Sequence, residues 1–393
     1  MTNTNLDVPL LVATIVPAAV VATGASATGA SATGIKLPTE IPKLPTKLPT
    51  KLPTIATAAP SRGVRYTTVS AGPHVSYFTR SDGTVDRSYG SGRVSSSHAP
   101  SAPGIKYIDA SAGQFASYYL RDDGAVDRTT SRGAVSVQMN PPPGHRFTAV
   151  ESGYHASYLL CSDGTVSRTK GKGVVTTVMR GDGDGDDARY IGMSAGTFYA
   201  YLLRADGTVD RCRGGKVLAN MAPAGPAGPP SKGGKGGKGG KGGKGGKGVR
   251  YVGVTACEAC VYLVRSDGQV DRSRGRARVH TTMAPPKGTR YTSVSRGFAL
   301  ASSKEQQSPP YSYLVRDDGA LDRTWGSGKV QREPLRAGGE GGRYVGASAG
   351  SRTSYFLTAE GGVARTTYSG RIDGVTFPAP LSVLSPRFFP YPL

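Results

Sequence analysis

One charged motif recurs along the chain at fixed internal spacing. SDGTVDR at 81–87 returns as DDGAVDR (122–128), SDGTVSR (162–168), ADGTVDR (205–211), SDGQVDR (266–272) and DDGALDR (317–323). A carboxylate beside a guanidinium can bind a charged ligand, move a proton, or join neighbouring structural units. Other residues carry chemistry of their own. Cys257-Glu258-Ala259-Cys260 has the spacing of a redox pair or half a zinc site. Its only companions, Cys161 and Cys212, stand singly in other repeats, and Cys257 occupies a position that is Gly in the other six units. It reads as variation within one repeat, with a local disulfide as the alternative. GDGDGDD (181–187) resembles the start of a calcium loop. The twelfth position from Asp182 is Met193, where such a loop needs a bidentate Glu, so the segment reads as an acidic surface loop. The five histidines include His74 and His155 at equivalent positions of two repeats. No Ser-His-Asp set, metal triad or strand-to-helix phosphate loop is legible. The expectation is a protein that is not an enzyme, with no catalytic residues, metal or cofactor.

What positions these residues is a repeat. Aligned on the motif, seven units start at Arg65, Lys106, Arg146, Arg189, Arg250, Arg290 and Arg343. Each opens with a basic residue and an aromatic one, then runs through a short apolar stretch to Ala-Gly in most units. Three or four variable residues follow, then a tyrosine (Tyr77, Tyr118, Tyr158, Tyr201, Tyr262, Tyr313, Tyr355) and the Asp-Gly motif, Glu360-Gly361 in the last unit. Runs of four to seven residues rich in Val, Tyr and Thr, bounded by Gly and Pro, are strands. Asp-Gly between two such runs predicts a tight hairpin with positive φ at both central residues. No long apolar pattern has a helical period. Units near 40 residues with four antiparallel strands are propeller blades, and seven close a ring. The fold expectation is all-β: a seven-bladed β-propeller over 61–381. Glycine before six of the seven variable loops allows close backbone approach near the axis. The second-strand tyrosine buries its ring between blades while its hydroxyl finds a partner.

Within this frame, alternate strand residues face opposite neighbours. An inter-blade ladder follows, in which Arg of one blade meets Asp of the next. Its members are Asp86, Arg87, Asp127, Arg128, Arg168, Asp210, Arg211, Asp271, Arg272, Asp322, Arg323 and Arg365, with Asp lost at Ser167 and Ala364. The rival is a basic ring lining a surface for an acidic partner.

The remainder of the chain is of lower complexity. Residues 8–27 are apolar but lack a preceding Lys or Arg and contain Pro9 and Pro17. They read as an export signal or as a disordered tail, and they barely reach the length of a membrane span, so no stable membrane insertion is expected. Secretion follows if residues 1–30 act as a signal; otherwise the compartment is cytoplasmic or nuclear. The Pro-rich stretch to residue 60 is an extended spacer. Residues 382–393 form a C-terminal tail, and insertions lie at 223–248 and within 302–312. Net charge is +22; setting aside the net +2 of residues 1–60 and the six lysines of the Gly/Lys tract leaves +14 on the remainder. Basic character favours polyanions or acidic proteins. In the tract, Lys232, Lys235, Lys238, Lys241, Lys244 and Lys247 could track a phosphate backbone of nucleic acid; the other reading is a slippage insertion in a tolerant loop. Four cysteines in 393 residues make no disulfide framework.

The grammar V-x-A-G, then Ser, then D-G-x-V resembles the repeat of the regulator of chromosome condensation family, which includes β-lactamase inhibitor protein II. In the first unit it is carried by Ala71-Gly72, Ser76, Asp82-Gly83 and Val85. The sequence departs from the family at polar Asp86-Arg87-Ser88, at Trp325-Gly326 one residue late, and at Val75 where the family often has His. The resemblance implies a binding protein, whether a nucleotide-exchange regulator of a small GTPase that also binds chromatin, or a secreted enzyme inhibitor. The residues themselves point to a monomeric protein-binding scaffold. Its surface is the face bearing the loop after Ala-Gly, where Pro73, His74, Gln114, Phe115, Tyr154, His155, Thr197 and Phe198 differ between units.

Overall fold

A computed structural model describes most of residues 63–378, excluding 224–247, 296–310 and short stretches of one to five residues. Four consecutive strands form blade 1: β1 (Tyr66–Ala71), β2 (Ser76–Arg80), β3 (Val85–Ser88) and β4 (Val94–His98). They pair antiparallel in chain order. Six further sheets repeat this plan as blades 2 to 7, spanning 107–139, 147–179, 190–221, 251–283, 291–335 and 344–376. The structure is the expected seven-bladed propeller. Every blade takes its four strands from one repeat, so no strand is exchanged at the closure.

The core is a series of slabs between blades. On β2, Tyr77 and Phe78 point to opposite sides. Tyr77 packs with Tyr107 and Tyr119 of blade 2, and Phe78 packs with Tyr355 and Val363 of blade 7. Aromatic and β-branched residues suit this role because both faces of the middle strands are covered. The hydroxyls of Tyr118 and Tyr355 are buried without a hydrogen-bond partner. Those of Tyr158, Tyr262 and Tyr313 do find one, in Arg168, Ser312 and Ser354.

The Asp-Gly turn differs from the expected one. Only the glycine has positive φ, 89° at Gly83, and no turn aspartate does. Arg80 N–H donates to the Thr84 carbonyl and Gly83 N–H to that of Arg80. This is a three-residue loop ending in a left-handed glycine. The Asp82 carboxylate stabilises it by accepting the Thr84 N–H at 3.0 Å, so the aspartate serves through its side chain and not through its backbone.

The same glycine joins the blades. Its carbonyl accepts the N–H of the aromatic residue that opens the next blade, Gly83 from Tyr107 and Gly124 from Phe147, both at 2.9 Å. Gly361 repeats the bond with Tyr66 at 2.9 Å and thereby closes the ring. The basic opening residue covers the turn: a Cβ on Gly83 would lie 2.5 Å from Lys106 Cβ, and one on Gly361 2.4 Å from Arg65 Cβ.

A second seam runs round the axis. Ser70 Oγ accepts the Ala112 N–H of blade 2, Ser111 Oγ the Ser152 N–H of blade 3, and Ser348 Oγ the Ala71 N–H across the closure, at 2.8–2.9 Å. The glycine of Ala-Gly has the expected role, since a Cβ on Gly113 would meet Ala116 O at 2.2 Å and Ser152 Cβ at 2.8 Å. The small hydroxyls and the missing side chains together let the inner strands crowd. They leave an axial cavity of about 200 Å³, lined by such hydroxyls together with Asp109 and Glu151.

Candidate functional site

The loops after the inner strands are built alike. Gly72 N–H donates to Val75 O, Gly153 N–H to Ala156 O and Gly196 N–H to Tyr199 O, at 2.8–3.0 Å. A closed loop of this kind projects its central residues outward. In blades 2, 3 and 4 those residues are aromatic, and they touch. The Phe115 and Tyr154 rings are 5.5 Å apart and near perpendicular, Tyr154 and His155 are 4.5 Å apart, and His155 and Phe198 are 6.5 Å apart. Phe115 is 64% exposed and Phe198 58%. A row of solvent-facing rings thus crosses three blades on one rim.

Not every candidate loop residue belongs to this row. Pro73 is buried, and its carbonyl accepts Ser351 Oγ at 2.7 Å across the ring closure. His74 is exposed, while Gln114 and Thr197 are half-buried beside the rings. A second exposed apolar set, Ile108, Ile191, Val252 and Val345, follows the opening tyrosines at a β-bulge, at the other ends of the inner strands.

The inter-blade ladder is corrected. Asp86 and Arg87 do face opposite ways, being paired across β2 with Phe78 and Tyr77 respectively. Yet the ion pairs of Asp86, Asp127, Asp210, Asp271 and Asp322 are made within their own blades, each with the arginine that ends the second strand. Arg80 Nη1 lies 3.3 Å from Asp86 and its Nη2 2.8 Å from turn residue Asp82. The Tyr66 hydroxyl completes the network by donating to Asp86 at 2.8 Å, as Tyr107, Tyr190, Tyr251 and Tyr291 do for their aspartates. Burial, with the Asp86 carboxylate beside it, pushes the Tyr66 hydroxyl far above its ordinary pKa. Arg80 was missed because it lies outside the Val-Asp-Arg word; the signal was the basic residue two before Asp-Gly in five units.

The ladder arginines do reach the next blade, but not its aspartate. Their stems lie against the glycine between its third and fourth strands: a Cβ on Gly133 would be 3.5 Å from Arg87 Cδ, and one on Gly328 3.2 Å from Arg272 Cδ. Four of their heads have partners in their own blades. Arg87 lies over Tyr89 at 4.2 Å, Arg211 over Tyr199 at 4.7 Å, and Arg323 donates to Gln331 at 2.6 Å. Arg128 donates to Ser136 at 2.8 Å. Arg87, Arg168 and Arg272 are buried, which removes them from a solvent-facing basic ring.

Blade 3 replaces the tyrosine, the second-strand arginine and the third-strand aspartate together. Phe147 stands for the tyrosine, Cys161 for the second-strand arginine and Ser167 for the aspartate. Val178, opposite Ser167, stands where blade 1 has Ser97, a donor to Asp86. The turn aspartate Asp163 remains, and the structure brings it together with Cys161 and His145, their ligating atoms all within 4.8 Å of one another. The sequence reading did not find this cluster. The signal was a lone cysteine at a position otherwise held by arginine.

Cys257 and Cys260 do not form a disulfide. Their loop is closed by Cys257 N–H donating to Cys260 O at 2.7 Å, and the Cys260 thiol, hydrogen-bonded by Cys257 and near Arg272, is drawn down to about 7. In GDGDGDD, Asp186 pairs with Arg189 at 3.3 Å, and the Asp182 carbonyl accepts from Arg204 at 2.6 Å. Met193 is buried in a strand. The six lysines of the Gly/Lys tract and the two chain ends, 1–60 and 382–393, lie outside the described residues. Among the described residues no helix is long and apolar enough to cross a membrane.

No protein-family model and no curated protein matches this sequence. Solved structures do resemble it in fold. Yeast RCC1 (Prp20), crystallised with Kap60, is 13% identical, with a TM-score of 0.45 over 67% of this chain and 70% of that one; a likeness at that score supports nothing further. Human WBSCR16 is 12% identical, with a TM-score of 0.50 over 73% of this chain and 85% of that one. Virginiamycin B lyase of Staphylococcus aureus, solved with quinupristin, is 10% identical, with a TM-score of 0.54 over 77% of this chain and 95% of that one. At these identities the likeness shows the propeller alone, a fold that scaffolds and at least one enzyme share.

Proposed function

We propose that the protein is a non-enzymatic binding platform that docks a protein partner on the rim carrying Phe115, Tyr154, His155 and Phe198. The observation that supports this reading is the contact between the rings. Single exposed apolar residues are ordinary on a protein surface, whereas rings that touch one another across three rigid blades form a continuous apolar strip. Aromatic anchors of this type carry most of the free energy of protein interfaces. The basic charge of the ring adds attraction for an acidic partner and speeds encounter.

The test compares full-length wild type with the Phe115→Ala/Phe198→Ala variant. Both are cross-linked to their partners in extract of the source cells, and the partners are identified by mass spectrometry. A partner found with the wild type is then titrated against both purified proteins. Loss of at least about tenfold in affinity, at unchanged Tm, is expected from removing two interfacial rings. Equal affinity of both proteins for every partner recovered would overturn the proposal.

A further inference from the structure

We infer that His145, Cys161 and Asp163 form a binding site for a thiophilic divalent cation of the zinc class, on the rim of blade 3 opposite the aromatic row. This does not rest on the docking role. Six turn aspartates occupy equivalent positions in blades 1 to 6. Five of them, Asp82, Asp123, Asp206, Asp267 and Asp318, are joined by the second-strand arginine. Among the described residues Asp163 has no such ion pair, because its arginine is Cys161. A metal ion would restore the positive charge at the place the guanidinium occupies elsewhere.

The donor set suits that ion. One Asp163 oxygen is committed to the turn, accepting the Thr165 N–H at 2.9 Å and the Thr165 hydroxyl at 2.7 Å. The carboxylate also accepts a hydrogen bond from the Cys161 thiol, whose proton a metal ion would replace. Cys161 ends the second strand and is buried on an apolar face with Phe147, Leu159 and Val150, which fixes its position. His145, two residues before the opening strand, is exposed and able to swing. Imidazole nitrogen, thiolate sulfur and carboxylate oxygen are together a zinc-type ligand set, and three protein ligands leave a fourth position for solvent. Tetrahedral zinc, with bonds of about 2.0–2.3 Å, places its ligand atoms about 3.5 Å apart. The trio must therefore close by roughly an ångström, and rotation of the His145 side chain supplies that movement. On binding, the Cys161 Sγ–H proton leaves to solvent as the sulfur–metal bond forms.

Cobalt(II) is the probe, added to full-length reduced protein. One equivalent should produce a thiolate-to-cobalt charge-transfer absorption that zinc abolishes by displacement. Zinc should also raise the Tm, since only the folded chain assembles the site. Cys161→Ser should remove the absorption. His145→Ala should leave the metal-free Tm unchanged, because the residue is exposed, and weaken cobalt binding at least tenfold. The Cys257→Ser/Cys260→Ser variant should retain the absorption, which separates the site from the other thiols. Absence of the band in the wild type, its persistence in Cys161→Ser, its loss in the double Ser variant, or unchanged affinity in His145→Ala would each overturn the inference. Should Cys161→Ser not fold, the His145→Ala titration decides alone.

Discussion

In blade 1, the face turned to its predecessor holds Tyr66, Arg80 and Asp86 joined beneath the surface, with Arg80 and Asp86 each 1% exposed. In blade 3 the same positions hold Phe147, Cys161 and Ser167, packed with Tyr118, Leu120 and Val126 of blade 2 or buried beside them. Both faces close the same kind of interface. The difference teaches that the network is exchanged as a set. Burying one member alone would strand a charge, whereas the uncharged Phe147, Cys161 and Ser167 strand none. Blade 7 narrows the rule to the charged pair: Thr358 replaces the arginine and Ala364 the aspartate, with Val375 opposite, while Tyr344 is kept. The ionic form is thus not a requirement of the propeller. It is one of two self-consistent ways to fill the slab.

The largest expected effect comes from breaking the ionic blade at one position. Asp86→Ala leaves a buried guanidinium and the Tyr66 hydroxyl without their shared acceptor, and should cost about 3–5 kcal/mol in urea unfolding. Next, writing the blade 3 residues into blade 1, Tyr66→Phe/Arg80→Cys/Asp86→Ser/Ser97→Val, should cost at least about 2 kcal/mol less than Asp86→Ala despite four changes. A cost as great as, or greater than, that of the single variant would refute exchange as a set.

A smaller effect is expected from Tyr66→Phe, which deletes one hydrogen bond to a charged group and should cost about 1.5–3 kcal/mol. Acid unfolding probes the turn aspartates. Burial raises the Asp82 carboxyl, but the Arg80 guanidinium and the Thr84 N–H and hydroxyl outweigh it and hold the carboxyl below its ordinary value. A depressed carboxyl contributes stability that is present above the unfolded value of about 3.9 and is lost as pH falls through the folded one. Stability should therefore fall with acid below about pH 4, and Asp82→Asn should make that fall shallower. The smallest effect belongs to blade 3: Ser167→Ala, with no ion pair to break, should change stability by less than about 1 kcal/mol.

Much of the fold was legible because its signals are local. Gly-bounded runs of Val and Tyr marked the strands, and their repetition marked the blades. The Arg–Asp pairing was not legible. Which acceptor a guanidinium meets depends on register between strands, and Arg80 reaches Asp86, its diagonal neighbour on the same face, only once β2 and β3 are paired. The loop face was visible as the variable positions of the repeat, but not that Phe115, Tyr154, His155 and Phe198 come into contact, since they belong to three blades and lie up to 83 residues apart, from 115 to 198.

The sequence by itself determined the unit: four strands, a turn that needs a left-handed glycine, and seven repetitions. These follow from backbone preferences and side-chain alternation, which act over a few residues. The tertiary structure decided which charges pair, which face gathers its rings, and where His145, Cys161 and Asp163 meet. Those outcomes depend on distances between side chains that only strand pairing and ring closure bring within reach.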